Sequence, residues 1–413
     1  MAIYYLSNNG NDENNGLSPE SPISTINKLN EIMCSGDTAR FKRGDTFYGR
    51  ILPPENNTAL SPATYESYGQ GAKPIISQYK KANKGAWDDL TNNVWRLDLK
   101  DVTKFTGNVL NLDTNVGFIK ASGVIHAVNA FSVENLQNDW DFYSDDQYLY
   151  LKLSVCPDEA SNEILIACNI HHVCFQDNIK VDSITFCGGG AHGIAGVAHG
   201  AHISNCEFHE IGGSILPGYP TKNTRYGNGV ECWTDSSDVL VENCKFSNIY
   251  DVALTMQGRP AETGWTNITF KNNVIWNCQQ AFEIWSGGEK PDTGFKNCVF
   301  ENNVCLHSGY SWSYDVRPNK EVSSHLLVYG LECPLCDVKV KNNTFYNARS
   351  FQIYKSGGMT KLPHDYVIED NTFITTPEKQ FANAGMDDDE YKQRILSKNS
   401  VITTYDPFTL KFE

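Results

Sequence analysis

The chain has few basic residues: its 413 residues include 34 Lys and Arg against 49 Asp and Glu, a formal net charge of -15. Proteins that bind nucleic acids or anionic membranes need clustered Lys and Arg to pair with phosphates. The composition therefore predicts that neither is a partner. It does not exclude an acidic sugar, which a few local Arg or Lys side chains can bind.

Long apolar runs are also missing. No stretch approaches the roughly 20 apolar residues of a membrane-spanning helix, and Met1 to Ser7 have neither the basic start nor the apolar core of a secretory signal. The sequence as written predicts a soluble chain, either cytoplasmic or secreted after removal of a leader. The thirteen cysteines are an odd number and several fall at repeat positions, which favours free thiols over a disulfide framework.

What the sequence does contain is a repeated six-residue phrase. A β-former and a variable residue are followed by Asn or Asp, then by Asn or Cys, and an apolar residue closes the phrase. Its six copies start 38, 29, 30, 40 and 28 residues apart and are Ile203–Phe208, Val241–Phe246, Phe270–Ile275, Phe300–Cys305, Val340–Phe345 and Ile368–Phe373. Periods this short, with no amphipathic helix between copies, predict a solenoid of stacked parallel strands.

Two ladders of equivalent residues should run along this solenoid, because stacking brings them to about 4.8 Å from one another. We expect an apolar ladder in the interior, made of Phe208, Phe246, Ile275, Cys305, Phe345 and Phe373. We also expect a hydrogen-bonded ladder at the turn, made of Cys206, Cys244, Asn273, Asn303, Asn343 and Asn371, in which cysteine replaces asparagine twice.

Other elements frame the regular coils. Ser21 is expected to N-cap a helix that begins at Pro22 and covers the open end of the solenoid. Strand alternation in Trp87–Leu99 and Trp140–Leu153 predicts two β-hairpins, and Asp387–Leu396 predicts a C-terminal helix. The predicted units are 1–35, an N-terminal strand and capping helix; 36–165, the first coils with a β-hairpin insertion; 166–375, regular coils with active-site loops; and 376–413, a C-terminal cap.

Several segments resemble right-handed parallel β-helix proteins of the pectate-lyase-like superfamily. They are Tyr4–Asp12, Gly36–Thr38 and Phe41–Thr46, together with the Asn-ladder coils, so the resemblance covers most of the chain. It implies an all-β fold, a right-handed parallel β-helix with an N-terminal helical cap and β-hairpin elaborations. It also implies a carbohydrate-active protein, since the superfamily includes polysaccharide lyases, glycoside hydrolases, sugar epimerases and phage tailspikes.

A second set of segments alternates with a period of two: Val230–Trp233, Leu254–Gln257, Phe282–Trp285, Leu326–Tyr329 and Phe351–Tyr354. Their first and third residues are expected to point inward, and the second and fourth to solvent. Two outward rows are therefore expected. The second residues form the row Glu231, Thr255, Glu283, Leu327 and Gln352, and the fourth residues form the row Trp233, Gln257, Trp285, Tyr329 and Tyr354. Carboxylates, amides and aromatic rings on one exposed face suit a sugar.

Two connections are much longer than the others: 22 residues separate Phe208 from Val230, and 21 separate Cys305 from Leu326. Both leave the same corner of the solenoid, so they should wall a cleft. The predicted substrate-binding residues are Arg225, Tyr226, Trp233, Gln257, Arg259, Trp285, Trp312, Tyr314, His325 and Tyr329. For Arg225, a carboxylate clamp and a loop-anchoring salt bridge are equally open.

The predicted catalytic pair is Glu231 and Glu283, with Asp251 as a close third. The two glutamates should lie two rungs apart, about 9.6 Å at the backbone, and carboxyls about 6.5–9.5 Å apart suit inverting glycoside hydrolysis. The alternative is that these are merely solvated surface residues. His192, His199, His202 and His209 are expected upstream of the cleft, in turn hydrogen bonds rather than in a metal site.

These residues predict a glycoside hydrolase that cleaves a polysaccharide or oligosaccharide and needs no metal or cofactor. The first alternative is a polysaccharide lyase or C5-epimerase acting on a uronic-acid glycan, with Ca²⁺ possible and with Arg225, Arg259, Tyr314 or His325 as base or carboxylate ligand. The second is a non-catalytic, tailspike-like glycan-binding β-helix. The sugar, its linkage and the oligomeric state stay open.

Overall fold

The computed structural model describes residues 1–99, 114–218, 224–259, 264–286, 294–317, 323–330, 335–356, 362, 365–383 and 395–404. In these residues the chain winds three long parallel sheets around one apolar core. The predicted all-β solenoid is confirmed. Residues 387–394 of the predicted C-terminal helix lie outside the described residues.

Each of the seven coils from Val173 onward contributes one strand to each sheet, and neighbouring coils pair in parallel. Sheet I consists of Ile3–Leu6, Thr38–Lys42, Ala63–Tyr68, Ile179–Asp182, His202–Ser204, Ser237–Glu242, Trp265–Lys271, Gly294–Glu301, Leu335–Lys341 and Tyr366–Glu369. Sheet II consists of Thr46–Tyr48, Ile75–Ser77, Thr185–Cys187, Glu207–Ile211, Lys245–Ile249, Val274–Trp276, Val304–Leu306, Thr344–Tyr346, Thr372–Thr375 and Ser400–Thr403. Sheet III consists of Val173–Cys174, Ile194–Gly196, Val230–Trp233, Val252–Gly258, Gln280–Ser286, Ser324–Tyr329 and Phe351–Ser356.

The turn ladder forms as expected between sheets I and II. The backbone N–H of Asn273 donates to Asn303 Oδ1 at 2.9 Å, and that of Asn303 donates to Asn343 Oδ1 at 2.8 Å. Cysteine serves at the equivalent rungs, since Cys206 N–H donates to Cys244 Sγ at 3.4 Å. The ladder continues one rung beyond the prediction, to Asn399. Because these amides are buried, each rung satisfies backbone groups that would otherwise lack a partner.

Residues in left-handed backbone conformation turn the chain at the same corner. They are Asn205, Asn243, Asn272, Asn302, Asn342 and Asp370, with φ between 53° and 56°. Asn and Asp adopt this conformation more readily than other side chains that carry a Cβ. The repeated polar pair in the sequence therefore combines one residue that bends the chain with one that bonds to the next coil.

The predicted interior ladder is also confirmed, because Phe208, Phe246, Ile275, Cys305, Phe345 and Phe373 occupy matching positions on successive strands of sheet II. On five successive strands of sheet I, the last residue alternates in charge from coil to coil: Glu242, Lys271, Glu301, Lys341 and Glu369. Ion pairs join Lys271 to Glu242 at 3.3 Å and Lys341 to Glu301 at 3.1 Å.

The N-terminal helix begins later than predicted. It spans Ile26–Ile32, and Thr25 rather than Ser21 is its N-cap, with the Thr25 side chain accepting the N–H of Lys28. Ile23 pairs with Leu6 in a parallel bridge, which keeps the chain extended past Pro22. The helix buries Ile26 and Leu29 in the core of the first coils.

Both predicted β-hairpins are present, and they join into one antiparallel sheet of Trp87–Asp89, Val94–Asp98, Phe142–Ser144 and Tyr148–Lys152. A second antiparallel sheet contains Tyr79–Lys81, Val116–Ala121, Val124–His126 and Ile164–Cys168. The short helices are Val133–Asn135, Pro157–Ala160 and Tyr314–Val316. The insertion has an apolar core of its own, with Leu97, Ile119, Phe142 and Leu151 fully buried.

The described cysteines, twelve of the thirteen, are free thiols. Among the described residues, no helix combines the length and the apolar character needed to cross a membrane.

Candidate active site

Sheet III brings the two predicted glutamates into one row. Glu231 pairs with Thr255, Thr255 with Glu283, and Glu283 with Leu327. Residues on either side in the chain, such as Val230, Cys232 and Phe282, lie in the solenoid core. The glutamate side chains therefore project from the opposite, outer face of the sheet, as strand alternation predicts.

The expectation that this row faces open solvent is wrong. Glu231 is 4% exposed, Glu283 8%, Leu327 5%, and Thr255 and Gln352 are fully buried. Asn228 of the first long connection and His192 of the preceding coil lie against Glu231, which the strand pattern alone cannot reveal. A merely solvated role for the two glutamates is thereby removed, because two buried carboxyls need partners or protons.

Glu231 is held through one carboxylate oxygen. Asn228 Nδ2 donates to Glu231 Oε2 at 2.7 Å, Gln257 Nε2 donates to it at 2.5 Å, and His192 Nε2 lies 3.2 Å away. Burial raises the pKa of Glu231 to about 7, aided by the charge of Asp251 and opposed by the two amide hydrogen bonds.

Glu283 has fewer polar partners. Thr255 Oγ1 donates to its Oε2 at 3.1 Å. Burial, followed by the negative charge of Asp251, raises the pKa of Glu283 to about 8, and the charge of Glu231 adds to this. The two environments therefore differ, and Glu283 is the carboxyl that retains its proton to higher pH.

Asp251, the third predicted catalytic residue, forms an ion pair with Arg317 at 2.8 Å. Both side chains are largely covered, and Arg317 Nη1 also donates to the backbone oxygen of Tyr250. Asp251 thus acts on the glutamates through its charge while its own carboxylate is bound to a cation.

An aromatic row borders the glutamate row. Trp233, Gln257, Trp285 and Tyr329 occupy matching positions on four successive strands. Trp233 and Tyr329 are 36% and 45% exposed, and the Trp285 ring centre lies 6.3 Å from each of their ring centres. Because Gln257 bonds to Glu231, this exposed row is directly joined to the buried carboxylate.

The last coil of sheet III was aligned wrongly from the sequence. Leu327 pairs with Tyr354, not with Gln352, and Tyr329 pairs with Ser356. The strand is displaced by two residues from the expected register. An even shift preserves the inward and outward alternation, so the hydrophobic pattern alone cannot detect it.

The two long connections do leave the same corner, between sheets II and III, and they touch each other. Arg225 of the first connection donates to the backbone oxygen of Val316 in the second at 3.3 Å. Trp312 of the second packs against Tyr250 and against Phe118 of the insertion. The corner over the glutamates is therefore built from three segments, one of which, the insertion, the sequence did not implicate.

Arg225 is not placed as a substrate clamp. It is 3% exposed, and its guanidinium donates to the backbone oxygens of Gly213, Ala127, Val316 and Gly117. Of the two expectations for Arg225, the one that it anchors the loops agrees with the structure. The anchoring contacts are hydrogen bonds to carbonyl groups rather than a salt bridge.

The other predicted binding residues are dispersed. His325 is fully buried against Phe345 with Ser308 at 2.8 Å, and burial lowers its pKa to about 3, so it is a core residue. Tyr314 carries the Arg349 guanidinium 3.5 Å above its ring centre. The Trp312 indole N–H donates to Asn248 O, and the Tyr226 hydroxyl donates to Asn169. Arg259 is exposed after the strand Val252–Gly258.

His192 lies on the upstream coil and accepts a backbone hydrogen bond, as predicted, but its contact with Glu231 was not predicted. It comes from the coil before Glu231, but its ring reaches forward to that carboxylate. The sequence did contain a signal for this contact. His192 stands two residues before the strand Ile194–Gly196, just as Asn228 stands two residues before the paired strand Val230–Trp233. No cluster of three or more possible metal-ligating side chains occurs among the described residues.

Comparisons with known proteins agree on the fold. Residues 155–320 match a family model described as a right handed beta helix region. A solved structure titled "Glycoside hydrolase" has a TM-score of 0.51 at 10% identity and covers 98% of this chain and 96% of its own. The complex of XylC with xylose has a TM-score of 0.50 at 13% identity, covering 97% and 82%. Comparison with curated proteins gives no match.

The chain is therefore a right-handed parallel β-helix. Structures with this fold that match it include glycoside hydrolases and, at lower TM-scores, polysaccharide lyases such as pectate lyase Pel9A. At identities of 10–13% these structures show the fold and do not select an activity.

Proposed function

We propose that this protein is a glycoside hydrolase whose general acid is Glu283 and whose general base is Glu231. The observation that carries the proposal is the pair of buried glutamates in register, two strands apart, on the outer face of sheet III. Two strand spacings correspond to about 9.6 Å at the backbone, which suits a water between one carboxylate and the sugar in an inverting reaction.

The division of roles follows from the surroundings of each carboxyl. Amide N–H groups of Asn228 and Gln257 donate to Glu231, and such donors favour its ionised form. Glu283 accepts from one hydroxyl and has the higher pKa, about 8. Near neutral pH, Glu231 is thus the better base and Glu283 the better acid.

Glu231 and Glu283 together account for both proton transfers of the hydrolysis. Glu231 takes a proton from water as the water oxygen bonds to the anomeric carbon, and Glu283 gives its proton to the glycosidic oxygen as the carbon–oxygen bond breaks. Trp233, Trp285 and Tyr329 would stack on sugar rings and hold the chain beside the carboxyls. Proton exchange with solvent then restores both groups.

The lyase or epimerase alternative receives less support from the described residues. It needs a free base and a cation for a uronate carboxylate, yet Arg225 is bound by four carbonyls, Arg317 by Asp251, and His325 lies in the core. Arg259 is exposed two residues after Gln257 of the aromatic row.

A panel of neutral and uronic-acid glycans tests the proposal. We expect new reducing ends without the ultraviolet absorbance of an unsaturated product, and an inverted anomer in the first product seen by NMR. Both signals should disappear in Glu231→Gln and Glu283→Gln and persist in Glu301→Gln, which alters only the surface charge ladder. An unsaturated product, or wild-type turnover in both glutamine variants, would contradict the proposal.

A further inference from the structure

His192 lies in contact with the carboxylate that we assign as base, although it belongs to the preceding coil. Its Nε2 is 3.2 Å from Glu231 Oε2, and its side chain is 8% exposed. The ring is fixed on two sides: it stacks on His171 with ring centres 5.1 Å apart, and it meets Tyr226 edge to face at 4.8 Å.

The tautomer of His192 follows from its other nitrogen. The backbone N–H of Asn228 donates to His192 Nδ1 at 2.9 Å, so Nδ1 is the unprotonated nitrogen of a neutral ring. The proton of that ring is then on Nε2, which faces Glu231. Burial, with the charge of His171, lowers the pKa of His192 well below its usual range, so the ring is neutral near pH 7.

We propose that His192 is a positioning residue whose Nε2–H, held 3.2 Å from Glu231 Oε2, keeps Glu231 ionised by its partial positive charge and aimed at the water it activates. Two amide N–H groups donate to Oε2 and the His192 ring lies against the same oxygen, whereas no donor among the described residues is hydrogen-bonded to Oε1. That second oxygen is the one left to accept the proton of water. This role deepens the proposed function and rests on it.

Other groups also face this pair and set the background of its titration. The charge of Asp251 opposes the ionisation of Glu231, and the charge of Glu231 in turn raises the pKa of Glu283. Cys232, next in the chain, points into the core. On the side of His192, His171 is the titratable neighbour, and burial lowers its pKa to about 4.

Three variants separate the polar contact between His192 and Glu231 from mere packing. His192→Phe keeps a stacking ring but removes the N–H beside Glu231, whereas His192→Gln restores an N–H at nearly the position of Nε2. His171→Phe is the matched control. Each of the two Phe substitutions removes a ring nitrogen that accepts a backbone N–H: that of Asn228 for His192 and that of His192 for His171. His171, however, does not contact Glu231.

The measurement is kcat/KM against pH. In His192→Phe we expect the acidic limb to move to higher pH by about one unit, because a lost donor disfavours the carboxylate, with kcat reduced and KM little changed. The limb should return towards wild type in His192→Gln and stay in place in His171→Phe. An unmoved limb in His192→Phe, or equal movement in His171→Phe, overturns the inference.

Thermal unfolding tests the same contact without a substrate. The raised pKa of Glu231 gives a stability contribution that is present at low pH and is lost as pH rises through about 7. His192→Phe should extend that loss to higher pH, and it should have no such effect in a Glu231→Gln background. If no glycan is cleaved, the proposed function fails, but this comparison still tests the contact between His192 and Glu231. An identical effect of His192→Phe in the wild type and in Glu231→Gln would refute the proposed role of His192.

Discussion

Thr255 lies in register between the two glutamates, and its Oγ1 donates a hydrogen bond of 3.1 Å to Glu283 Oε2. The hydroxyl of one coil therefore stabilises the ionised form of the carboxyl on the next. This bond opposes the burial that raises the pKa of Glu283 to about 8.

Replacing Thr255 by valine should raise the pKa of Glu283 further, because the side chain keeps its shape and loses its donor. We expect the alkaline limb of kcat/KM to move up by about half a unit to one unit, and Thr255→Ser to restore it. A limb that moves down would show that Thr255 does not act on the proposed acid.

Replacing either glutamate by glutamine should abolish most turnover. General acid and base groups typically contribute about 10²–10⁴-fold, and we expect a loss of that order in initial-rate assays. Glu283→Gln should also lose the alkaline limb, since no acid is left to ionise. Glu301→Gln serves as the control, and comparable losses in it would indicate damage to the solenoid instead.

Asp251→Asn should shift both limbs of the pH profile to lower pH. The charge of Asp251 raises the pKa of Glu231 and of Glu283, and its removal also leaves the Arg317 cation unpaired nearby. Both effects favour the carboxylates. Asp315→Asn is a suitable control, because Asp315 lies in the same connection as Arg317 but pairs with Arg349 at the surface. Limbs that stay in place would contradict the charge coupling.

Trp285→Ala should raise KM more than it lowers kcat, since a stacked sugar ring is bound alike in the ground and transition states. An aromatic contact of about 1–1.5 kcal/mol corresponds to roughly tenfold in KM. Trp276→Ala, on the outer face of sheet II, should leave KM unchanged. Equal effects of Trp285→Ala and Trp276→Ala on KM would contradict the prediction that the aromatic row binds the substrate.

Asn303→Ala should destabilise the fold by about 2–4 kcal/mol, because it leaves the buried N–H of Asn273 and the carbonyl of Phe270 without partners. Asn303→Cys should cost less, since Cys244 already accepts such an N–H. Asn267→Gly, which removes exposed side-chain bonds to Asp238 and Asn297 and tolerates the left-handed backbone at this position, is the control for thermal unfolding. A loss of stability in Asn267→Gly as large as that in Asn303→Ala would contradict the prediction that the buried ladder is the stabilising one.

The fold was readable from the sequence because each coil repeats the same local chemistry. In the six-residue repeat Phe270–Ile275, Asn272 takes the left-handed conformation, Asn273 forms the hydrogen bond to the next coil, and Ile275 points into the core. The site was less readable: strand alternation placed Glu231 and Glu283 on one face, but their burial depends on connections and an insertion distant in sequence. Arg225 and His325 appeared as cleft residues because their carbonyl and core partners carry no sequence signal.

The alternating charges at the ends of five successive strands of sheet I, from Glu242 to Glu369, restrict how this part of the molecule can change in length. Loss of the single coil that carries Lys271 would place Glu242 beside Glu301, and like charges directly opposite on neighbouring strands repel. Loss or gain of two consecutive coils would keep unlike charges adjacent. These five coils are thus suited to lengthening or shortening by even numbers of turns.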